Sequence, residues 1–132
     1  MKGTEGVGMV VRGIRGAITA SENSSGAIME ATERLLREIV AANAFAVHDI
    51  ASVLFTVTPD LTAEFPAVAA RRLGWTLVPL LNFTEIAVPG GLPYCIRVLI
   101  HVNTTLSQQD IVHVYLDGAR GLRPDLVREA TP

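Results

Sequence analysis

Six side chains in this sequence have the chemistry to grip an anion or hold a hydroxyl: the guanidinium groups of Arg15, Arg71, Arg97 and Arg123, the phenol of Tyr115 and the carboxylate of Glu85. Planar, permanently charged donors match carboxylate oxygens two at a time, so several together suit a small dicarboxylate held at each end. The usual nucleophilic machinery is missing. No serine occupies a nucleophile elbow, and Cys95, the single cysteine, has no base beside it. His48, His101 and His113 lack metal-ligand spacing, although His101 and His113 have room to meet on adjacent strands. No glycine-rich loop follows a strand and opens a helix, which argues against a dinucleotide or P-loop site. With no cofactor and no metal expected, catalysis by such a set would rest on conformational restriction and electrostatic stabilisation.

These side chains need strands and helices to position them. Around Arg97, the β-branched residues Ile96, Val98, Ile100 and Val102 recur with period two, the pattern of a strand with one buried face. Arg97 lies on the other face, between Cys95 and Leu99. A guanidinium cannot shed its charge, so an arginine in apolar surroundings needs a carboxylate from the protein or from a ligand. Taken alone, Arg97 fits a structural ion pair or a side chain snorkelling to solvent. Residues 9–19 read as a first strand, in which Gly13 and Gly16 flank Ile14-Arg15. That spacing suggests either a bare patch for a ligand beside Arg15, or a β-bulge with a surface arginine.

The rest of the chain supplies scaffold. Polar residues Ser21 to Ser25 offer caps for a helix over about 24–43, with Ile28, Ala31, Leu35, Leu36 and Ile39 as its apolar stripe. Glu30–Arg34 and Glu33–Arg37 are i,i+4 pairs on its solvated face. A strand is expected at 50–58, a short helix at 65–73 closed by Gly74, and a strand at 75–81 covered on both faces. Glu85 follows in a connection, then the loop Pro89-Gly90-Gly91-Leu92-Pro93 and the Arg97 strand. A last strand is expected at 111–116, with His113 and Tyr115 on one face. The order β-α-β-α-β-β-β implies an α+β fold: a mixed sheet of about five strands with helices on one face. Residues 1–8 read as a flexible extension, 9–116 as one domain and 117–132 as a mostly irregular tail.

At 132 residues and 49% apolar, with a mean hydropathy of +0.37, the chain has more apolar surface than one small domain readily hides, and oligomerisation is one way to hide it. The net charge of -2 and the lack of a basic run speak against nucleic-acid binding. No stretch is long and apolar enough to cross a membrane, and a single cysteine suits a reducing cytoplasm.

Four blocks, in this order, resemble the monofunctional trimeric α/β chorismate mutases: Arg12-Gly13-Ile14-Arg15-Gly16-Ala17; Thr58-Pro59-Asp60-Leu61 running into Phe65-Pro66-Ala67; Gly91-Leu92 with Ile96-Arg97-Val98; and His113-Val114-Tyr115-Leu116 with Leu122-Arg123-Pro124-Asp125-Leu126. The resemblance implies conversion of chorismate to prephenate by a pericyclic rearrangement in phenylalanine and tyrosine biosynthesis, without a cofactor. It also implies a homotrimer whose sheets form a pseudo-α/β-barrel, with active sites between subunits. By position, Arg97 would face the breaking ether bond, Arg15 and Tyr115 would hold carboxylate, and Glu85 would accept from the ring hydroxyl. Phe65, Ala67 and Arg71 would come from the neighbouring subunit, while Leu122 and Arg123 in the tail would help cover the site. Asn82 falls at a substrate-binding position that is cysteine or serine in relatives, and Val68 stands where some members have a lysine. The competing expectations are a trimeric small-carboxylate-binding or regulatory protein without turnover, and a trimer of the imine and enamine deaminase type.

Overall fold

The computed structural model describes residues 8–126; the ends of the expected extension and tail, 1–7 and 127–132, lie outside the described residues. Five strands, β1 (Val10–Thr19), β2 (Ile50–Val57), β3 (Leu80–Thr84), β4 (Cys95–Thr104) and β5 (Val114–Tyr115), form one mixed sheet in the order β3-β2-β4-β1-β5. The central strand β4 runs antiparallel to both neighbours, while β3 pairs parallel to β2 and β5 parallel to β1. Two helices, α1 (Ser25–Asn43) and α2 (Ala67–Arg72), pack into the same core against one face of this sheet. This is the expected element order. Among the described residues, no helix is long and apolar enough to cross a membrane.

Helix α1 starts where a serine can stop the backbone from fraying. Ser24 is extended, and its side-chain oxygen accepts from the Ala27 N–H at 3.1 Å. The whole expected apolar stripe of α1 is buried on β1, β2 and β4. Gly16 explains how closely the helix approaches. A Cβ there would lie 2.6 Å from the Ile39 terminal methyl and 3.1 Å from Val98, so its missing side chain makes room for α1. Gly16 also lines a cavity beside Arg15. Strand β1 is not bulged, since it pairs with β4 without interruption from Val10↔Thr104 to Thr19↔Cys95. The irregularity sits in β2 instead, between Ile50 and Ser52.

The strand expected at 75–81 is displaced to Leu80–Thr84, into the expected connection, the one expected at 111–116 is shorter, and in each the backbone has found other partners. Strand β3 begins at Leu80, not at Trp75, because the Trp75 N–H donates to Ala70 O at 3.1 Å and the Gly74 N–H to Arg71 O at 3.0 Å. These bonds close α2 around Gly74, whose φ is +93°, and Trp75 drops its side chain into the core. Strand β5 is only Val114–Tyr115, not 111–116. The Asn43 side chain, at the last turn of α1, takes both backbone groups of Val112, accepting at 2.8 Å and donating at 2.9 Å. His113 Nδ1 then accepts from the Arg15 N–H at 2.9 Å, a side chain standing in for a ladder bond. His113 does not meet His101: β1 lies between, and His101 Nδ1 pairs at 2.9 Å with the Ser52 hydroxyl.

Candidate active site

The sheet has a covered face and an open one. On β4, Ile96, Val98, Ile100 and Val102 point to the helices and are 0%, 4%, 0% and 1% exposed, whereas Arg97, Leu99, His101 and Asn103 are only half-buried. The pairing register turns the open face into rows. One row crosses all five strands as Phe83, Thr56, Arg97, Ala17 and Tyr115. The next comprises Leu81, Leu54, Leu99 and Arg15. Arg15 and Arg97 are therefore diagonal neighbours on adjacent strands, close enough for one small ligand to reach both.

Arg15, Arg97, Tyr115, Leu122 and Arg123 all line a cavity of about 460 Å³, with Phe83 and Leu54 as apolar walls. Glu85 is not in its lining but grips it from behind. Its backbone N–H continues the β3 pairing by donating to Val57 O at 2.8 Å, which turns the side chain toward Thr56. Glu85 Oε2 then accepts from Arg97 Nε at 2.9 Å and from the Thr56 hydroxyl at 2.7 Å. The carboxylate is the more buried partner, with 16% of its side chain exposed against 43% for Arg97. The guanidinium thus has a protein partner through Nε, and Arg97 also lines the cavity. Arg97 borders a second hollow as well, of about 800 Å³, which Glu85, Asp60, Val88 and Leu92 also line.

The described part of the tail, residues 117–126, reaches the site through one short 3-10 turn. A 3-10 turn over Asp117–Gly121 leads into Leu122 and Arg123, and Leu122 and Leu126 pack on a small cluster of Tyr115, Ala17, Cys95 and Ala119. Arg123 makes two bonds to the Asp125 carboxylate, Nε at 3.0 Å and Nη2 at 2.8 Å, which hold Asp125 below and Arg123 above their ordinary values. Under the tail, burial pushes the Cys95 thiol up to about 11, against the opposing pull of nearby Arg97. That thiol is no nucleophile at neutral pH.

The structure does not bring every expected residue to this cavity. Phe65 is 63% exposed and Arg71 is exposed, both at α2, and neither lines the cavity. Ala67 is buried in the core, and its N–H donates to Asn82 Oδ1 at 3.1 Å, so Asn82 serves the start of α2 within the chain. Thr56 was missed. Its place on the open face of β2 was legible, but facing Arg97 depends on a register that sequence does not reveal.

Comparisons with known proteins follow this geometry. A family model described as chorismate mutase type I matches residues 11–126. The chorismate mutase AroH of Thermus thermophilus is 52% identical over 118 residues, covering 89% of this chain and 97% of that protein. Its counterpart in Bacillus subtilis (strain 168) is 44% identical over 119 residues, covering 89% and 94%. Among solved structures, a chorismate mutase from Clostridium thermocellum superposes with a TM-score of 0.81 at 51% identity, covering 82% of this chain and 96% of that one.

Proposed function

The chain belongs to the chorismate mutase type I family, and from that premise we propose that the Arg97 cavity is where chorismate is rearranged to prephenate. The enzyme is an isomerase: within one substrate molecule an ether C–O bond breaks as a C–C bond forms, with no atom gained or lost. The observation that carries the site is an arginine anchored by Glu85 and lining one cavity together with Arg15, Tyr115 and Arg123.

Each residue then has a task that its geometry suits. Arg15, Tyr115 and Arg123 hold substrate carboxylate and fold the enolpyruvyl arm over the ring, removing part of an entropic barrier. Arg97 meets the ether oxygen, where partial negative charge develops as the bond breaks, and its anchor on Glu85 means that little reorganisation is needed. Both bonds to Glu85 fall on Oε2, and a ring hydroxyl reaching past Arg97 to the second hollow, which Glu85 lines, would donate to Oε1. Leu122 covers the site.

Three copies of the chain complete it. Leu81 and Phe83 on the open face are 57% and 46% exposed, apolar surface that a pseudo-α/β-barrel of three sheets would hide. In that assembly α2, whose start Asn82 holds through Ala67, presents Phe65 and Arg71 to the neighbouring subunit's cavity. A cytoplasmic setting, where a lone thiol stays reduced, and a place in phenylalanine and tyrosine biosynthesis belong to the same reading. The shared site has a direct test. Arg97→Ala and Arg71→Ala trimers should each be poor enzymes, and refolding the two together should yield mixed trimers with activity that neither parent has. If the mixture stays as inactive as its parents, each cavity is built from one chain.

A further inference from the structure

The tail is tied down at a point outside the cavity lining. Arg34, on the outer face of α1, donates Nη1 to Asp117 Oδ2 and Nη2 to Asp117 Oδ1, both at 2.8 Å, across 83 positions of sequence. The side chains are 49% and 41% exposed, so the pair contributes little to global stability. Its geometry is nevertheless specific. Asp117 sits at φ +51°, a left-handed conformation that non-glycine residues rarely adopt. The next residue, Gly118, passes so close to Thr19 that a Cβ would fall 2.9 Å from its side chain, and its N–H donates to the Thr19 hydroxyl at 3.0 Å. Leu116, just before, donates to Ala17 O at 2.9 Å. The chain is thereby pinned at three successive points, and the next turn delivers Leu122 and Arg123 to the cavity rim.

We propose that Arg34 is a positioning residue for the reaction: by clamping Asp117 it fixes the course of the tail that places Leu122 and Arg123 over the substrate. Arg34 does not line the cavity, and its two-pronged grip is a geometry that a lysine cannot reproduce. The surrounding charges agree, since Glu38 lies 3.9 Å from Arg34 Nε and keeps the guanidinium aligned on the same helix face. The hydrogen bonds from Arg34 hold the Asp117 carboxyl below the usual carboxylate range. The clamp is therefore intact above the ordinary aspartate value and released only as the pH falls through the depressed one.

This inference rests on the reading that Arg123 contacts substrate, and the experiment separates the two. Arg34→Ala, Asp117→Asn, Arg34→Lys, Arg123→Ala and the double Arg34→Ala/Arg123→Ala variant are compared in KM, kcat and melting temperature. Alanine suits a helix interior and asparagine tolerates the left-handed backbone, so folding should be retained. The expected result is KM raised about tenfold by Arg34→Ala and by Asp117→Asn, the scale of one lost charge-assisted contact, with kcat and melting temperature kept. Arg34→Lys should fall between, and the double variant should be no worse than Arg123→Ala alone. If Arg123→Ala raises KM while Arg34→Ala does not, the positioning role is overturned and the tail's contact with substrate stands. Additive losses in the double variant, or a fall in kcat at unchanged KM, also overturn it. An unchanged KM in Arg123→Ala overturns both.

Discussion

The two faces of β4 carry the same number of residues and the same backbone bonds, yet they do different work. The helix-facing side is a close-packed layer of aliphatic side chains against α1. The open side alternates apolar walls with Arg97 and His101, and its charge is met by the half-buried Glu85 carboxylate rather than by packing. Alternation along a strand lets adjacent residues answer to separate demands: one face sets how firmly the sheet is held, the other what it can bind.

The separation is open to attack by mutation. Arg97→Ala should have the largest effect, a loss of about 10²–10³ in kcat from removing one preorganised donor, with the melting temperature nearly kept. Arg97→Lys should also be poor, since a point charge replaces the planar fork. Turnover near that of the parent in either variant would remove Arg97 from the chemistry. Gly16→Ala attacks from the covered face. Its Cβ would press on Ile39, Leu35 and Val98, which should cost about 1–3 kcal/mol of stability by overpacking, read as a lower denaturant midpoint. Were kcat to collapse well below the melting temperature, the faces would prove coupled. The smallest effect expected is at Cys95, whose neighbours lie on the open side but which the tail covers completely. With its thiol pushed up to about 11, native protein at pH 8 should resist alkylation in water and begin to react once denaturant opens the tail, before the sheet unfolds. Rapid labelling of the folded chain would show that the tail opens.

Much of this division is legible in the residue pattern, because period two and the α1 stripe are local properties. The burial of Ile96, Val98, Ile100 and Val102 follows from them directly. What escaped the sequence is whatever depends on a distant partner. Trp75 belongs to a β-prone run, but its N–H is spent closing α2, and Val112 is claimed by a side chain from the end of α1. Gly16 read as a bare patch or a bulge, and that α1 packs against it depended on the fold. At the site, the types of residue pointed to carboxylate binding. That Glu85 would seize Arg97 at Nε, that Thr56 would brace both, and that Arg34 would leave its own helix to hold Asp117 required the register and the fold.

The position of β4 at the middle of the sheet has a consequence for how activity is lost. Its amides are paired on both sides, in ten register positions with β1 and seven with β2, so they should exchange with deuterium only through the largest opening the molecule undergoes. The tail is held by a few exposed bonds and belongs to the opposite end of that range. Arg97 therefore rides on the last segment to open, and Arg123 on one of the first. Under rising denaturant, grip on the substrate should fade while the rearranging arginine is still in place.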